Sequence, residues 1–420
     1  MKKYKNVVIV CLLMAVSLGV EAQNNTNSPY TRYGYGLLGD QSLAANKGMA
    51  GLGYAIREKG HINPLNPASY TTVDSLTFLI EGGVSLQNIY MEQNGVKLNA
   101  KNSSFDYVTM QFRLRKGLGM SLGLLPYSNA GYSFSDTRTM ENGEAYSRSY
   151  TGNGGLHQVY AGLGFEVVKG LSIGANVSYL WGEIDRTRTL VYPGSSSNTN
   201  YNQVSNISIR DYKFDVGTQY VLSMGGKHQL LTGVTYTPQR KLKNTHTLTT
   251  EGSTSNTKSE SLTLGLPATY GAGIAYQYGN RWTVGADYRL EQWNKVPFAS
   301  TDPNTDFTAT FDLADSHRFA LGATYQPNEY ARSMFKRMKY RMGAHYALPY
   351  YKIGGKRATR EYGASVGISL PLPRSRSLVS LSGQYVRIQG QEAGFSNENM
   401  FRLSIGVTFN EIWFFKRKVD

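Results

Sequence analysis

Four arginines in this sequence have the surroundings of an anion-binding site: Arg281, Arg289, Arg318 and Arg341. Each lies in a segment where polar and apolar residues alternate, and each falls on the polar face. A guanidinium can hold a carboxylate through two parallel hydrogen bonds. Buried arginines are normally paired, so the same residues could instead form ion pairs with Asp287, Glu291 and the N-terminal segment at residues 23–75. The residues alone leave both interpretations open.

Support for catalysis is weak. The six histidines are scattered without the spacing of metal ligands, and the only cysteine is Cys11. A serine and a histidine somewhere in a chain of 420 residues are expected by chance. We therefore predict no enzymatic activity, no metal site and no cofactor.

The arginines belong to segments with the two-residue period of β-strands. Residues 281–291 (RWTVGADYRLE) place Trp282 and Leu290 on an apolar face, and Arg281 and Arg289 on the opposite face. Successive side chains of a strand point to opposite sides, so one face meets an apolar phase and the other meets water or polar groups. A tilted strand of roughly 9 to 11 residues crosses the hydrocarbon layer of a bilayer. The pattern predicts a transmembrane strand whose arginines face the lumen of a barrel.

The connectors between such segments alternate in length. Short ones lie at residues 115–117, 168–170, 224–227, 278–281 and 371–376, with a longer one at 327–337. Long polar ones lie at 91–102, 128–144, 192–205, 239–261, 293–316, 349–358 and 391–397. This alternation predicts an all-β fold, a transmembrane antiparallel β-barrel of about 14 strands over residues 76–415, as in outer-membrane proteins. The alternative is a two-sheet sandwich, which would not sort its connectors by length.

The chain ends predict export. Residues 1–22 combine a charged start, an apolar run and a small-residue cleavage site, which together indicate a signal peptide. Its removal takes away three lysines and one glutamate and changes the net charge from +15 to +13. Residues 416–420 would form a basic periplasmic tail. We predict the outer membrane of a Gram-negative bacterium, contact with its lipid and lipopolysaccharide, and no nucleic-acid partner.

Residues 23–75 lack the strand pattern and are rich in Gly, Asn and Ala. They could fold inside the barrel as a hatch, or remain a disordered extension. Within them, residues 48–70 resemble the hatch of the FadL family of outer-membrane transporters through the motif Asn66, Pro67 and Ala68. Residues 266–293 also resemble that family, with a Leu-Pro start, two strands and a closing Trp. A third, weaker match is the strand 118–125 followed by Pro126, Tyr127 and Ser128.

The resemblance implies passive uptake of long-chain fatty acids or other hydrophobic compounds. External loops would capture the ligand, the hatch would rearrange, and the ligand would leave sideways through a kinked strand. Gly123, Pro126 and Tyr127 are candidates for that kink, because proline removes a ladder donor. A strand that simply ends at a loop explains the same residues.

Two other functions stay open. A FadL-like barrel could serve as a scaffold or shuttle for secreted proteins, or as a plugged porin for polar solutes. The loop at residues 245–261 is almost entirely polar, which does not favour the capture of acyl chains. Apolar surface could come from the next loop, through Phe298, Phe307 and Phe311.

Overall fold

The computed structural model describes residues 26–412, except 94, 142, 193–199, 253, 302–307, 311–312, 374 and 392–394. Fourteen long antiparallel strands of this described part form one sheet. They are β1 (Thr77–Gln93), β2 (Val96–Arg115), β3 (Leu118–Asn129), β4 (Ala145–Val168), β5 (Leu171–Val191), β6 (Tyr201–Ser223), β7 (His228–Thr237), β8 (Thr269–Tyr278), β9 (Trp282–Glu291), β10 (Ser316–Tyr325), β11 (Lys339–Leu348), β12 (Thr359–Pro371), β13 (Leu378–Gly390) and β14 (Asn397–Ile412). Strand β14 pairs with β1 along its length, so the sheet closes into the predicted barrel.

The alternation of side chains along the strands follows the prediction. On β9, Trp282 and Val284 are 44% and 50% exposed, whereas the Asp287 carboxylate accepts hydrogen bonds from the backbone of residues 53 and 54. On the neighbouring strands Leu321 and Met342 face outward in the same way. The apolar faces therefore form the outer surface of the barrel, and the polar faces form its lumen.

The two ends of the barrel differ. At one end, here called the short-turn end, the strands are joined by residues 116–117, 169–170, 224–227, 279–281, 326–338 and 372–377. The opposite end, the loop end, carries the long connectors. The predicted signal peptide at 1–22 and the tail at 416–420 lie outside the described residues.

Several predicted polar loops at the loop end are strands. Strands β1 and β2 stay paired up to Gln93 and Val96, through the predicted loop at 91–102. The predicted loop at 245–261 contains a hairpin, in which Asn244–Glu251 pairs with β6 and with Ser255–Glu260. Hydrophobic periodicity cannot detect the hairpin, because both faces of its two strands are polar apart from Leu248.

The remaining elements are short. Tyr132–Thr139 pairs with β4, and Leu37–Leu38 pairs with β3. The other short strands pair as Arg240–Lys241 with Gly265–Leu266, Ala299–Thr301 with Thr308–Thr310, and Lys352–Ile353 with Lys356–Arg357. The helices are the 3-10 turns Pro29–Arg32, Pro67–Thr72 and Trp293–Lys295 and the α-helical turns Ala44–Lys47 and Met334–Arg337. Within the described residues, no helix is long and apolar enough to cross a membrane.

The described part of the hatch lies in the lumen and contacts the wall on several sides. Gln219 of β6 donates a hydrogen bond to the carbonyl of Tyr54, and Gln384 of β13 donates one to the carbonyl of Lys47. Ser365 of β12 accepts one from the backbone amide of Ala50. These contacts reach opposite sides of the barrel, so the hatch spans its cross-section.

Four inward-facing glycines, directly opposite one another on neighbouring strands, form a row across the wall: Gly119, Gly164, Gly174 and Gly217. A Cβ atom on Gly174 would stand 2.4 Å from the carbonyl carbon of Pro67. One on Gly119 would stand 2.0 Å from the carbonyl oxygen of Tyr70. The helical turn Pro67–Thr72 therefore lies against the wall at a distance that only glycine permits.

Candidate functional site

The hatch motif positions this helical turn. The side chain of Asn66 caps it, because its Oδ1 accepts a hydrogen bond from the backbone amide of Ala68 at 3.1 Å. Its Nδ2 donates to the carbonyl of Tyr54 at 2.8 Å and to the carbonyl of Thr218 in β6 at 3.0 Å. Asn66 thus joins two parts of the hatch to the barrel wall, and Pro67 occupies the first helical position.

A buried charge cluster holds the hatch near the short-turn end. Both carboxylate oxygens of Glu58 lie 3.0 Å from Nη2 of Arg341, a residue of β11 whose side chain is 1% exposed. Lys339 also donates to Glu58. Burial alone would raise the pKa of the Glu58 carboxyl, but Arg341 and Lys339 hold that pKa well below its usual range. Glu58 therefore stays ionised and links the hatch to β11.

Arg289 and Arg318 face each other across β9 and β10 and line a cavity in the lumen. The Nε atom of Arg289 lies 3.3 Å from Glu291, and Nη1 of Arg318 lies 3.6 Å from Glu361. Arg318 also donates to the carbonyl of Ala50 at 3.0 Å. The volume of this cavity is about 170 Å³. The two arginines are thus paired within the protein, yet they border open space.

The other two predicted arginines lie elsewhere. Arg341 is separated from Arg318 by about 20 Å along the strands, because it pairs with Thr324, which is six positions from Arg318 at roughly 3.3 Å per residue. Arg281 does not reach the lumen, contrary to the prediction, because β9 begins at Trp282 and Arg281 belongs to the preceding turn. Its Nε donates to the carbonyl of Pro327 at 3.2 Å, on the exposed rim of the barrel.

Aromatic residues of the hatch and the loops pack together above the cavity. We call this cluster the aromatic cap: Tyr30, Tyr35, Trp293, Phe298, Tyr350 and Tyr351. The ring centroids of Trp293 and Tyr350 are 4.5 Å apart, and those of Tyr35 and Phe298 are 5.0 Å apart. Phe298 is buried at 1% exposure, while Phe307 and Phe311 lie outside the described residues. Among the described residues of the loop end, this apolar surface therefore packs against the hatch.

Pairing between β2 and β3 stops partway up the wall. The two strands pair from Arg115 and Leu118 up to Val108 and Leu124, but not beyond. Above this point β2 pairs only with β1, whereas β3 remains paired with β4. We call this interval the seam; it is bordered by residues 96–107 of β2 and 125–129 of β3. The wall is discontinuous there.

The residues predicted to kink β3 lie beside the seam. The register between β3 and β4 shifts between Pro126 and Ser128, which leaves Tyr127 as an extra residue. Gly123 lies three residues before Pro126 on the same strand, and a Cβ atom there would stand 2.6 Å from the ring of Tyr160. Pro126 and Tyr127 thus lie just beyond Leu124, the last residue of β3 that pairs with β2, and Gly123 makes room for an aromatic neighbour.

The hatch covers the free edge of β3 along the seam. Leu37 and Leu38 pair with Asn129 and Ser128, and the amide of Gly39 donates to the carbonyl of Tyr127 at 2.8 Å. The side chain of Gln41 donates to the carbonyl of Pro126 at 2.9 Å. On the other border of the seam, Lys47 forms an ion pair with Asp106 of β2. Backbone groups that β2 would otherwise satisfy are therefore satisfied by the hatch.

Three serines lie in G-x-S-x-G sequences, a pattern that also occurs at catalytic nucleophiles. These are Ser121, Ser172 and Ser365, and all three lie inside strands with no helix following. A nucleophile of that type requires a tight turn between a strand and a helix. The hydroxyl of Ser121 lies 2.9 Å from that of Tyr160, and the hydroxyl of Ser172 lies 3.0 Å from that of Thr71. Ser365 accepts a hydrogen bond from the amide of Ala50. All three serines are packing residues of the lumen. In the described part of the chain, no group of three acidic, His or Cys residues could hold a metal ion.

Sequence reasoning missed the charged residues of the hatch. Lys47 and Glu58 form its ion pairs with the wall, and His61 lies 3.7 Å from Glu58. A signal was present, because residues 57–61 (REKGH) are the densest run of charge in a segment otherwise rich in small residues. Buried charge is normally paired, so such a run inside a barrel indicates contacts with charged strands.

Acidification is expected to lower the stability of the folded protein, because His61 is buried in the hatch beside Glu58. Burial lowers the pKa of this histidine to about 3; Arg341 and Lys339 lower it as well, while Glu58 opposes them. The unfolded histidine gains its proton near pH 6.5, roughly its ordinary pKa. The unfolded state thus binds more protons between these values, so stability falls as the pH drops from about 6.5 towards about 3.

Thermal unfolding of the full chain in detergent at pH values from about 7 to about 4 measures this effect. His61→Gln removes the titrating group and is expected to make the unfolding midpoint less dependent on pH. The same pH dependence in the variant and the wild type would contradict the role of His61.

Comparisons with known proteins agree with this geometry. A protein-family model described as BamG matches residues 1–420. No curated protein matches the sequence. Among solved structures, a Pseudomonas aeruginosa FadL homologue is 14% identical, with a TM-score of 0.64 over 89% of this chain and 99% of that chain.

Two further solved structures share the fold. The Ralstonia pickettii toluene transporter TbuX is 14% identical, with a TM-score of 0.57 over 88% of this chain and 98% of that chain. The CymD monoaromatic hydrocarbon channel is 17% identical, with a TM-score of 0.54 over 89% of this chain and 98% of that chain. The predicted FadL-like barrel is confirmed.

Proposed function

Because the chain belongs to the BamG family and has the fold of hydrophobic-compound channels, we propose that it is an outer-membrane channel for hydrophobic or amphipathic small molecules. Long-chain fatty acids and single-ring aromatic compounds are the substrate classes to test. Transport would be passive, and the solute would leave the lumen sideways into the membrane.

The observation that carries this proposal is the position of the lumen cavity against the seam. The cavity is lined by Ser104 and Asp106 of β2 and by Pro126 and Asn129 of β3, which are residues on both borders of the seam. A solute in the cavity is thus separated from the outside of the wall by the hatch residues around Leu37 and Leu38. Movement of that short segment would open the lumen sideways without breaking a pair between β2 and β3.

Entry at the loop end would require the aromatic cap to open. Tyr35 and Tyr350 are fastened there: the hydroxyl of Tyr350 donates to the carbonyl of Gly36 at 2.7 Å, and that of Tyr35 donates to the carbonyl of Gly265 at 3.0 Å. Once the rings of the aromatic cap separate, their faces can make apolar contacts with an aromatic solute or an acyl chain. One stretch of the hatch contributes to both places, because Tyr30 and Tyr35 belong to the cap and Leu37 and Leu38 cover the seam. A single displacement of this stretch would therefore open both.

Of the four predicted arginines, Arg289 and Arg318 support carboxylate binding best. Both line the cavity, whereas Arg341 is engaged by Glu58 and Arg281 lies on the rim. A carboxylate entering the cavity would compete with Glu291 and Glu361 for the two guanidinium groups. Fatty acids would therefore be held by their head group beside the seam.

A disulfide between the hatch and the seam tests the lateral exit. Leu38 and Ser128 are directly paired, and paired residues on antiparallel strands lie about 4.5 to 5.5 Å apart at their Cα atoms, within disulfide range. In a Cys11→Ser background, oxidised Leu38→Cys/Ser128→Cys is expected to reduce uptake of radiolabelled oleate and toluene to that of cells without the protein. Reductant should restore uptake.

The matched control is Leu190→Cys/Tyr201→Cys, a second antiparallel pair in the extended sheet at the loop end. Its oxidation should leave uptake unchanged. Wild-type uptake by the oxidised seam variant would show that solutes do not pass the seam. Equal uptake with and without the wild-type protein would overturn transport itself.

A second candidate is a scaffold or shuttle for secreted proteins. The cavity of about 170 Å³ is smaller than the roughly 300 to 1,000 Å³ of ordinary ligand pockets, and the hatch is fastened on several sides. The strands that extend beyond the apolar belt, including Asn244–Glu251 and Ser255–Glu260, would supply the docking surface. Native purification tests this candidate. A stoichiometric secreted partner that is lost on deletion of the hairpin would support it.

A further inference from the structure

One connector at the short-turn end differs from the others in length and in surface. The 326–338 loop has thirteen residues, whereas the other turns at this end have two to six. Tyr330 and Phe335 of this loop are 87% and 71% exposed, the highest values among the large apolar side chains of the described residues. Met334 is exposed beside them. The loop thus presents apolar surface that the fold does not cover.

The backbone of this loop is held in place. The amide of Gln326 donates to the carbonyl of Arg281 at 2.8 Å, and the amide of Asn328 donates to the carbonyl of Lys336 at 2.8 Å. The side chain of Asn280 donates to Glu329 at 2.8 Å. These bonds fasten the loop to itself and to the neighbouring turn at residues 279–281. The exposed aromatic side chains are therefore displayed from a fixed position.

The loop lies on the lipid-facing side of the rim. Tyr340 is on the outer face of β11, since its neighbours alternate between buried Arg341 and exposed Met342. The hydroxyl of Tyr340 donates to the carbonyl of Phe335 at 3.0 Å. Next to Tyr340, the outward-facing Trp282 and Tyr325 stack with ring centroids 4.3 Å apart. The apolar residues of the loop thus continue the aromatic girdle at this end of the barrel.

The charge of the loop also fits a lipid surface. It carries Arg332, Lys336 and Arg337 against a single acidic residue, Glu329. Arg332 and Lys336 are exposed and flank the apolar pair Met334 and Phe335. Aromatic side chains favour the boundary between lipid tails and head groups, and basic side chains beside them attract anionic head groups.

We propose that the 326–338 loop is an interfacial anchor that binds anionic phospholipid of the periplasmic leaflet. Phe335 and Met334 insert below the head groups, and Arg332 and Lys336 contact the phosphates. Continuity with the girdle favours lipid over a periplasmic protein as the partner. The proposal concerns the rim of the barrel, so it holds whether or not the lumen transports a solute.

Nitroxide labels on the full chain in nanodiscs test this proposal. A label at Phe335→Cys, in a Cys11→Ser background, is compared with a lipid reference at Met342→Cys and an aqueous reference at Ser375→Cys. The readout is the ratio of collision rates with oxygen and with a water-soluble nickel chelate. In phosphatidylglycerol nanodiscs we expect the ratio at position 335 to be several-fold above that at 375 and close to that at 342.

Arg332→Gln/Lys336→Gln, or replacement of the lipid by phosphatidylcholine, is expected to lower the ratio at position 335 and leave that at 342 unchanged. The unchanged value at 342 shows that the barrel remains folded. A ratio at position 335 equal to the aqueous reference in phosphatidylglycerol would overturn the proposal, and would leave Phe335 free for a protein partner. A ratio that is high in both lipids and unaffected by the substitutions would refute the role of the basic residues.

Discussion

Replacing Gly174 with valine is expected to displace the hatch from its seat and to lower the thermal stability of the barrel. Gly174 faces Pro67, and even a Cβ atom would stand 2.4 Å from its carbonyl carbon and 2.6 Å from the amide nitrogen of Ala68. Both are backbone atoms, which cannot move aside as a flexible side chain can. Its cross-strand neighbours Gly164 and Gly217 approach the hatch as closely, so the helical turn cannot slide along the row.

Overpacking of this kind costs about 1–3 kcal/mol, and valine adds two methyl groups beyond the Cβ atom. Thermal unfolding in detergent measures the loss of stability, and limited proteolysis measures exposure of residues 26–76. Gly383→Val is the matched control, because a Cβ atom there meets only a methyl group of Val366 at 3.9 Å. Identical unfolding midpoints and cleavage patterns for the two variants would refute the claim that close packing against the glycine row holds the hatch in place.

Glu58→Gln is expected to have the second large effect, because it leaves Arg341 buried without its counter-charge. The Arg341 side chain is 1% exposed, and both oxygens of Glu58 contact its Nη2 atom. Removal of one partner of a buried ion pair costs roughly 3–5 kcal/mol. Lys339 would lose the same partner at the mouth of the short-turn end. We expect a lower unfolding midpoint and faster proteolysis of the hatch.

Asp74→Asn is the control for the loss of an acidic group. Asp74 pairs with Lys59 at 2.9 Å, but these side chains are 48% and 74% exposed, and exposed pairs contribute about 0–1 kcal/mol. Adding Arg341→Met to Glu58→Gln should recover part of the stability, since the unpaired buried charge is then removed. The prediction fails if Glu58→Gln and Asp74→Asn shift the midpoint equally.

Much of the architecture was predictable because a bilayer imposes a simple rule on each strand. One face must be apolar and the other need not be, so Trp282, Val284 and their equivalents mark the crossing segments directly. This rule placed residues 281–291 on a transmembrane strand, and the structure has that strand, from Trp282 to Glu291, as the ninth of fourteen. It fails beyond the apolar belt, where water meets both faces, and the strand Asn244–Glu251 was therefore predicted as a loop.

The candidate site was less predictable. The motif at Asn66 indicated a hatch, but its hydrogen bond to Thr218 joins residues far apart in the chain. Similarly, the alternation placed Arg289, Arg318 and Arg341 on the lumen face without showing that Glu58 pairs with the last of them. Pro126 indicated a local irregularity in β3, but not that the hatch residues Leu37 and Leu38 cover it.

The sequence by itself determined the barrel, because strand number and facing follow from local alternation against a uniform apolar solvent. It also determined which side chains face the lumen along the apolar belt. Only the tertiary structure decided which lumen groups meet, since those contacts join positions that no local period relates. In the tertiary structure Arg341 pairs with Glu58 of the hatch, whereas Arg289 and Arg318 line a cavity. That cavity lies against the seam between β2 and β3.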